Sequence, residues 1–164
     1  MAGQITMRLN LMKSCLGVLF AVASSVFAAA TPYDESANAA SQIKTSLQEA
    51  KSTQKPVLLV FGANWCGDCK VLDMSFNTGP SAPLIQQHFK IVKVNVGKFD
   101  RNLDIAESYG VPLKKGIPAV AVLSPTGQVI YATQSGELAD ARNMGDTAIY
   151  DFFAKVAKIK PGTP

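Results

Sequence analysis

Two cysteines with two residues between them, Cys66 and Cys69, are the side chains in this sequence best suited to do chemistry. They follow the apolar run Val57-Leu58-Leu59-Val60-Phe61 and precede a patterned segment from Lys70 to Phe76. That order predicts a strand, a tight turn and a helix, with Cys66 at the helix start. The unpaired amide N–H groups and the positive dipole end of a helix stabilise a negative sulfur there. A thiolate, not a thiol, attacks disulfides, and a Cys-x-x-Cys at a helix start has its pKa lowered to roughly 3.5–7.5. Cys69, one turn on, is placed to attack the mixed disulfide and release the product. Cys66 is therefore the candidate nucleophile and Cys69 the candidate resolving thiol. The competing uses are a zinc site or inert buried thiols. Zinc wants four ligands, and the chain offers one Cys-x-x-Cys and one histidine, His88, in a helical pattern that places it at the surface. No metal site is predicted.

The elements that must position this pair begin after a leader. Met7–Lys13 carries Arg8 and Lys13, Ser14–Phe27 is a short apolar run, and Ala28-Ala29-Ala30 supplies small residues before a polar stretch. Those zones match a secretory signal peptide over 1–30, cleaved after 28 or 30, with Met7 an alternative start. The apolar run is short for a bilayer span, which disfavours an uncleaved anchor. Cys15 precedes the apolar run, which disfavours a lipoprotein. Cys15 leaves with the leader, so only Cys66 and Cys69 remain. An exported chain with one Cys-x-x-Cys reads as a redox tool rather than a disulfide-stapled scaffold. The formal charge of +4 falls to about +2 without Arg8 and Lys13. No basic stripe suggests nucleic acid.

Thr31–Ser36 reads as an irregular lead-in. Ala37–Gln54 carries Ala40, Ile43, Leu47 and Ala50 at helical spacing. With the lead-in it forms the N-terminal part of the domain, 31–56. Val57–Phe61 is apolar throughout, as for a strand covered on both faces. The dithiol helix ends near Asn77-Thr78-Gly79-Pro80, and Ala82–His88 is a short helix. Ile91–Val96 alternates like a strand, and Asn102 is an N-cap candidate for Leu103–Tyr109. Gly116-Ile117-Pro118 enters the strand Ala119–Leu123, and Pro125-Thr126-Gly127 turns the chain into Gln128–Thr133. Gln134–Gly145 reads as a loop with a short helical turn. Asp146 caps a last helix, Thr147–Ile159, with Ile149, Phe152, Phe153, Val156 and Ile159 inward. A domain over 57–160 and a disordered tail, 161–164, complete the chain. The class is α/β, a central mixed sheet flanked by helices.

Trp65-Cys66-Gly67-Asp68-Cys69-Lys70 resembles the Trp-Cys-Gly-Pro-Cys-Lys signature of the thioredoxin superfamily. Tyr109-Gly110-Val111 and Gly116-Ile117-Pro118-Ala119-Val120 are similar to a second segment of that family, and 119–132 to its closing hairpin. The likeness runs from Val57 to Lys158 and implies the thioredoxin fold. It also implies a cis proline at Pro118 facing the dithiol, with the Ile117 backbone free to bind a substrate peptide as an added strand. Trp65 then shields the pair and contacts substrate, Gly67 keeps the turn open to an approaching disulfide, and Lys70 adds positive potential. Two positions depart from the family. Asp68 replaces proline, and its charge is expected to raise the Cys66 pKa. Val60 stands where thioredoxins carry a buried aspartate, a proton role that Asp68 is a candidate to assume.

The resemblance implies an exported, periplasmic thiol–disulfide oxidoreductase of the disulfide-isomerase-like branch, acting on protein disulfides. Reduction or isomerisation ranks above primary oxidation on the strength of Asp68. No cofactor is expected beyond the redox-active Cys66–Cys69 disulfide. The expected partners are protein substrates bearing disulfides or thiols and a membrane redox partner that resets the pair. The expected state is monomeric. The alternatives are a peptide-binding or chaperone module in which the thiols are dispensable, and a metal-handling dimer sharing two Cys-x-x-Cys pairs.

Overall fold

Every residue of β1, Val57–Gly62, is buried, and the reason is its place in the sheet. The computed structural model describes residues 31–159; the expected leader, 1–30, and the expected tail, 161–164, lie outside the described residues. Before β1 comes helix α1, Ala39–Thr53, and after it α2, Gly67–Asn77, α3, Ser81–His88, and β2, Lys90–Asn95. Next come α4, Leu103–Ser108, a 3-10 turn, Leu113–Lys115, strands β3, Ala119–Leu123, and β4, Val129–Ala132, and helix α5, Ala141–Val156. Among the described residues four strands make one sheet in the order β2-β1-β3-β4. β1 runs parallel to β2, with Phe61 opposite Val94, and antiparallel to β3, with Phe61 opposite Ala119.

Side chains alternate along a strand, so β1 divides its residues between two layers. Leu59 and Phe61 join Val92, Val94 and Ala121 under Ile43 and Ala50 of α1. Leu58 and Val60 join Val120 and Val122 under Leu72 and Phe76 of α2 and Phe153 of α5. Phe76 and Phe153 meet edge-to-face, centroids 4.9 Å apart, a geometry worth about 0.5–1.5 kcal/mol beyond the area it buries. The site helix is thus packed against α5 in the layer that covers this face of the sheet.

Three local expectations are corrected. The inward stripe of α1 starts at buried Ala39, not Ala40, which is exposed; Asn38 accepts from Ser41 N–H at 2.9 Å and so sets the phase of the first turn. Asn102 precedes α4 but does not cap it. Its backbone is left-handed, φ 51°, and its side chain donates instead to the Asn95 carbonyl at 2.7 Å. The last helix begins at Ala141, ahead of the expected Asp146 cap, and kinks at Gly145 (φ 71°, ψ 163°), a conformation open only to glycine.

Candidate active site

Cys66 occupies the N-cap of α2 with an extended backbone, φ −79° and ψ 115°. Its Sγ accepts from the Cys69 N–H at 3.1 Å and is bonded to Cys69 Sγ, the two Cα atoms 5.2 Å apart. A helix-start amide aimed at this sulfur favours a thiolate once the bond is reduced. From the other side, the Ile117 carbonyl oxygen lies 3.6 Å from Cys66 Sγ, and the Ile117–Pro118 peptide bond is cis. The structure therefore brings together Cys66, Cys69, Ile117 and Pro118, from two distant stretches of chain. Both cysteines are enclosed, Cys66 being 4% and Cys69 1% exposed.

Trp65 is 56% exposed. Its Nε1–H donates to the Gly97 carbonyl at 2.7 Å, and its ring meets Phe99 edge-on at 6.0 Å. The indole is thus held over the site rim by the loop after β2. An apolar groove begins at Phe99 and passes Leu103, Val111 and Leu113 to Gly116, the neighbour of Ile117. Lys70 is exposed on α2.

Arg142 changes the roles expected of Gly67 and Asp68. A Cβ at Gly67 would lie 3.3 Å from an Arg142 guanidinium nitrogen, so this face of the turn is occupied by Arg142 rather than open to an incoming disulfide. Asp68 is buried, and its Oδ1 accepts from Arg142 N–H at 3.0 Å and Nε–H at 3.1 Å. Burial opposes ionisation there, but the Arg142 backbone and guanidinium outweigh it and hold the carboxyl below its ordinary range. The negative charge expected to raise the Cys66 pKa is therefore compensated at its source. A carboxyl so firmly ionised and turned to Arg142 is also a poor replacement for the aspartate absent at Val60.

Four further residues surround the pair without any motif to announce them: Tyr33, Asn64, Lys93 and Arg142. Tyr33, in the lead-in, is 1% exposed and reaches the space above Gly62, beside Cys69. Lys93 of β2 pairs with Asp73 of α2 and stands 5.8 Å from the Tyr33 ring centroid, within cation–π range. Burial pushes the Lys93 ammonium down to about 8. The buried tyrosine and the alternation of β2 were readable as core signals only. Among the described residues no cluster of His, Cys, Asp or Glu could hold a metal ion, and no helix is long and apolar enough to cross a membrane.

A helix-capping dithiol at the end of a central strand, faced by a cis-proline bend, defines a thioredoxin-fold protein with a redox-capable pair. Residues 38–125 match the family model described as Thioredoxin-like, and the chain belongs to that family. A crystal structure of a disulphide isomerase from Xylella fastidiosa Temecula1 superposes with a TM-score of 0.77 at 53% identity, covering 80% of this chain and 100% of that one. The thioredoxin of Haemophilus influenzae is 39% identical over 83 residues, 51% of this chain and 68% of its own. The thiol:disulfide interchange protein DsbD 1 of Pseudomonas aeruginosa is 27% identical over 106 residues, 64% of this chain. The match spans only 16% of that longer protein.

Proposed function

We propose that the protein exchanges thiols and disulfides with protein substrates through Cys66 and Cys69. The observation that carries this reading is the position of Cys66 Sγ, between the Cys69 N–H at the helix start and the Ile117 carbonyl. The Cys66 thiolate attacks a substrate disulfide, forming a mixed disulfide and expelling one substrate thiolate, which takes up a proton. Cys69, deprotonated, attacks Cys66 Sγ; the Cys66–Cys69 bond forms and the second substrate thiolate leaves. The enzyme ends oxidised and the substrate reduced by two electrons, so a dithiol donor must reset it. Release of Cys66 before resolution gives isomerisation instead. No bound cofactor enters this scheme.

Substrate binding falls to Ile117 and Pro118, whose backbone can pair with an extended peptide, with Trp65 as a rim. The groove from Phe99 to Gly116 can take apolar side chains of the same segment. With Asp68 compensated by Arg142, the preference for reduction or isomerisation no longer follows from a weakly acidic Cys66; it draws on the likeness to the Xylella disulphide isomerase. The leader-like N-terminus supports export to a periplasm, where a membrane donor would supply electrons.

The test is the reduction potential of the pair, equilibrated against glutathione in a Cys15→Ser chain, with a Cys69→Ser variant to trap the mixed disulfide. A potential near roughly −270 mV indicates a reductase, and one near roughly −120 to −180 mV indicates disulfide formation or shuffling. A pair that forms no disulfide at any poise, or a double Cys→Ser variant with full activity, would replace this reading with a peptide-binding module.

A further inference from the structure

Cys69 must become a thiolate to resolve the mixed disulfide, yet it is 1% exposed and no acidic side chain stands at Val60. The polar atom that reaches this corner is the Tyr33 hydroxyl. A Cβ placed on Gly62 would lie 2.2 Å from Tyr33 Oη and 2.9 Å from Cys69 Sγ, which bounds the separation of oxygen and sulfur at about 5 Å; no hydrogen bond joins them in the disulfide form, in which Cys69 carries no charge to attract one. Glycine at 62 is what leaves room for the phenol; alanine would collide with it, and a ring this deeply buried cannot swing aside. Tyr33 is seated by a reciprocal clasp. Its N–H donates to Asn64 Oδ1 at 2.9 Å, and Asn64 Nδ2 donates back to the Tyr33 carbonyl at 2.8 Å. Asn64 also donates to Glu35 Oε1 at 2.9 Å, and Arg101 Nη1 donates to the Glu35 carbonyl at 3.1 Å. The lead-in is thereby bolted to the residue two before the nucleophile.

We propose that Tyr33 is the hydrogen-bond donor that stabilises the Cys69 thiolate, occupying in space the polar role that Val60 leaves empty in β1. The proposal rests on the exchange reading above, since only a resolving cysteine needs such help. During resolution the Cys69 S–H proton passes to a solvent base, and the sulfur's electron pair forms the Cys66–Cys69 bond. The bond from Cys66 to the substrate sulfur breaks, its pair leaving on a thiolate that water protonates. The phenol keeps its own proton throughout. Burial pushes the Tyr33 hydroxyl well above its ordinary value, so it stays neutral and able to donate. The charged groups packed around this corner are Lys93 with Asp73, and Asp68, which turns to Arg142.

The test is a titration of Cys69 by its ¹³Cβ shift in a chain carrying Cys15→Ser and Cys66→Ser, with and without Tyr33→Phe. The phenylalanine keeps the ring and its packing and removes only the hydroxyl. The expected result is a Cys69 pKa higher by about one unit or more, the size of one lost hydrogen bond to a charged group. Because a less acidic thiol is also more nucleophilic, resolution in the Tyr33→Phe enzyme slows by about threefold at neutral pH for each unit, not tenfold. A second reading needs no substitution at Tyr33: its ¹³Cζ resonance must move in step with Cys69 in the single-thiol chain. A Cys69 pKa unchanged by Tyr33→Phe, or a Tyr33 resonance indifferent to Cys69 ionisation, overturns the proposal. Neither measurement requires turnover, so failure of the exchange reading is seen separately, in the reduction potential.

Discussion

Replacing Arg142 by glutamine should raise the Cys66 pKa, and replacing Asp68 by asparagine should lower it. Asp68 lies in the first turn of α2 and Arg142 in the first turn of α5, and the Arg142 backbone N–H and Nε–H hold Asp68 Oδ1. Coulomb's law gives two unit charges about 4 Å apart about 4 kcal/mol at an effective dielectric of about 20 and about 1 in bulk water, and proportionately less at greater separation. The Arg142 side chain is 62% exposed and that of Asp68 12%, so the Arg142 contribution sits at the solvent-screened end and that of Asp68 above it. The expected shifts are about half a pKa unit for Arg142→Gln and somewhat more for Asp68→Asn, opposite in sign. The double variant should return close to the wild type, because it removes a compensated pair. The assay is the ultraviolet absorbance of the thiolate against pH in single and double variants, read as a double-mutant cycle. Because the backbone N–H survives in Arg142→Gln, Asp68 stays ionised at neutral pH and the comparison is clean. Single variants that shift Cys66 in the same direction, or not at all, would refute the claim that Arg142 compensates Asp68.

Stability should respond at three further places. Phe153→Ala empties a fully buried site stacked on Phe76 and Phe152 and should cost about 3–5 kcal/mol, read from the denaturant midpoint at constant slope. Gly145→Ala meets no atom within 4 Å but forces alanine to φ 71°, and should cost about 1–3 kcal/mol by the same measurement. For Lys93, folding lowers the pKa to about 8, so the folded state disfavours its proton. Stability should rise between pH about 8 and the ordinary lysine value of about 10.4 as that proton is shed, and Lys93→Met should flatten the rise in a series of thermal melts.

The strand–turn–helix frame, the alternation of strands and helices and the pairing of nucleophile with resolving cysteine were legible in the sequence because each rests on near neighbours. An unbroken apolar run makes Val57–Phe61 a central strand, and two intervening residues put Cys69 one turn beyond Cys66. The meeting of Pro118 with the dithiol was legible through family likeness, since nothing local to 116–118 says what lies across from it. Asn102 misled because its backbone is left-handed, φ 51°, rather than extended as a capping residue requires, and its side-chain amide is oriented by donation to the Asn95 carbonyl instead of by accepting from the helix start. The stretch 134–145 lacked a clear period, since Gly145 interrupts the helix and Leu138 and Ala141 are buried by packing rather than by pattern.

The sequence alone determined which atoms can do chemistry here and on what scaffold, because those properties follow from residue type and short-range spacing. Tertiary structure decided how that chemistry is tuned. Arg142 reaches Asp68 across 74 residues and cancels its field. Tyr33 reaches Cys69 because Gly62 has no side chain and Asn64 clasps the lead-in. Electrostatic and hydrogen-bonding contributions depend on distance and burial in space, and neither quantity is a function of position along the chain.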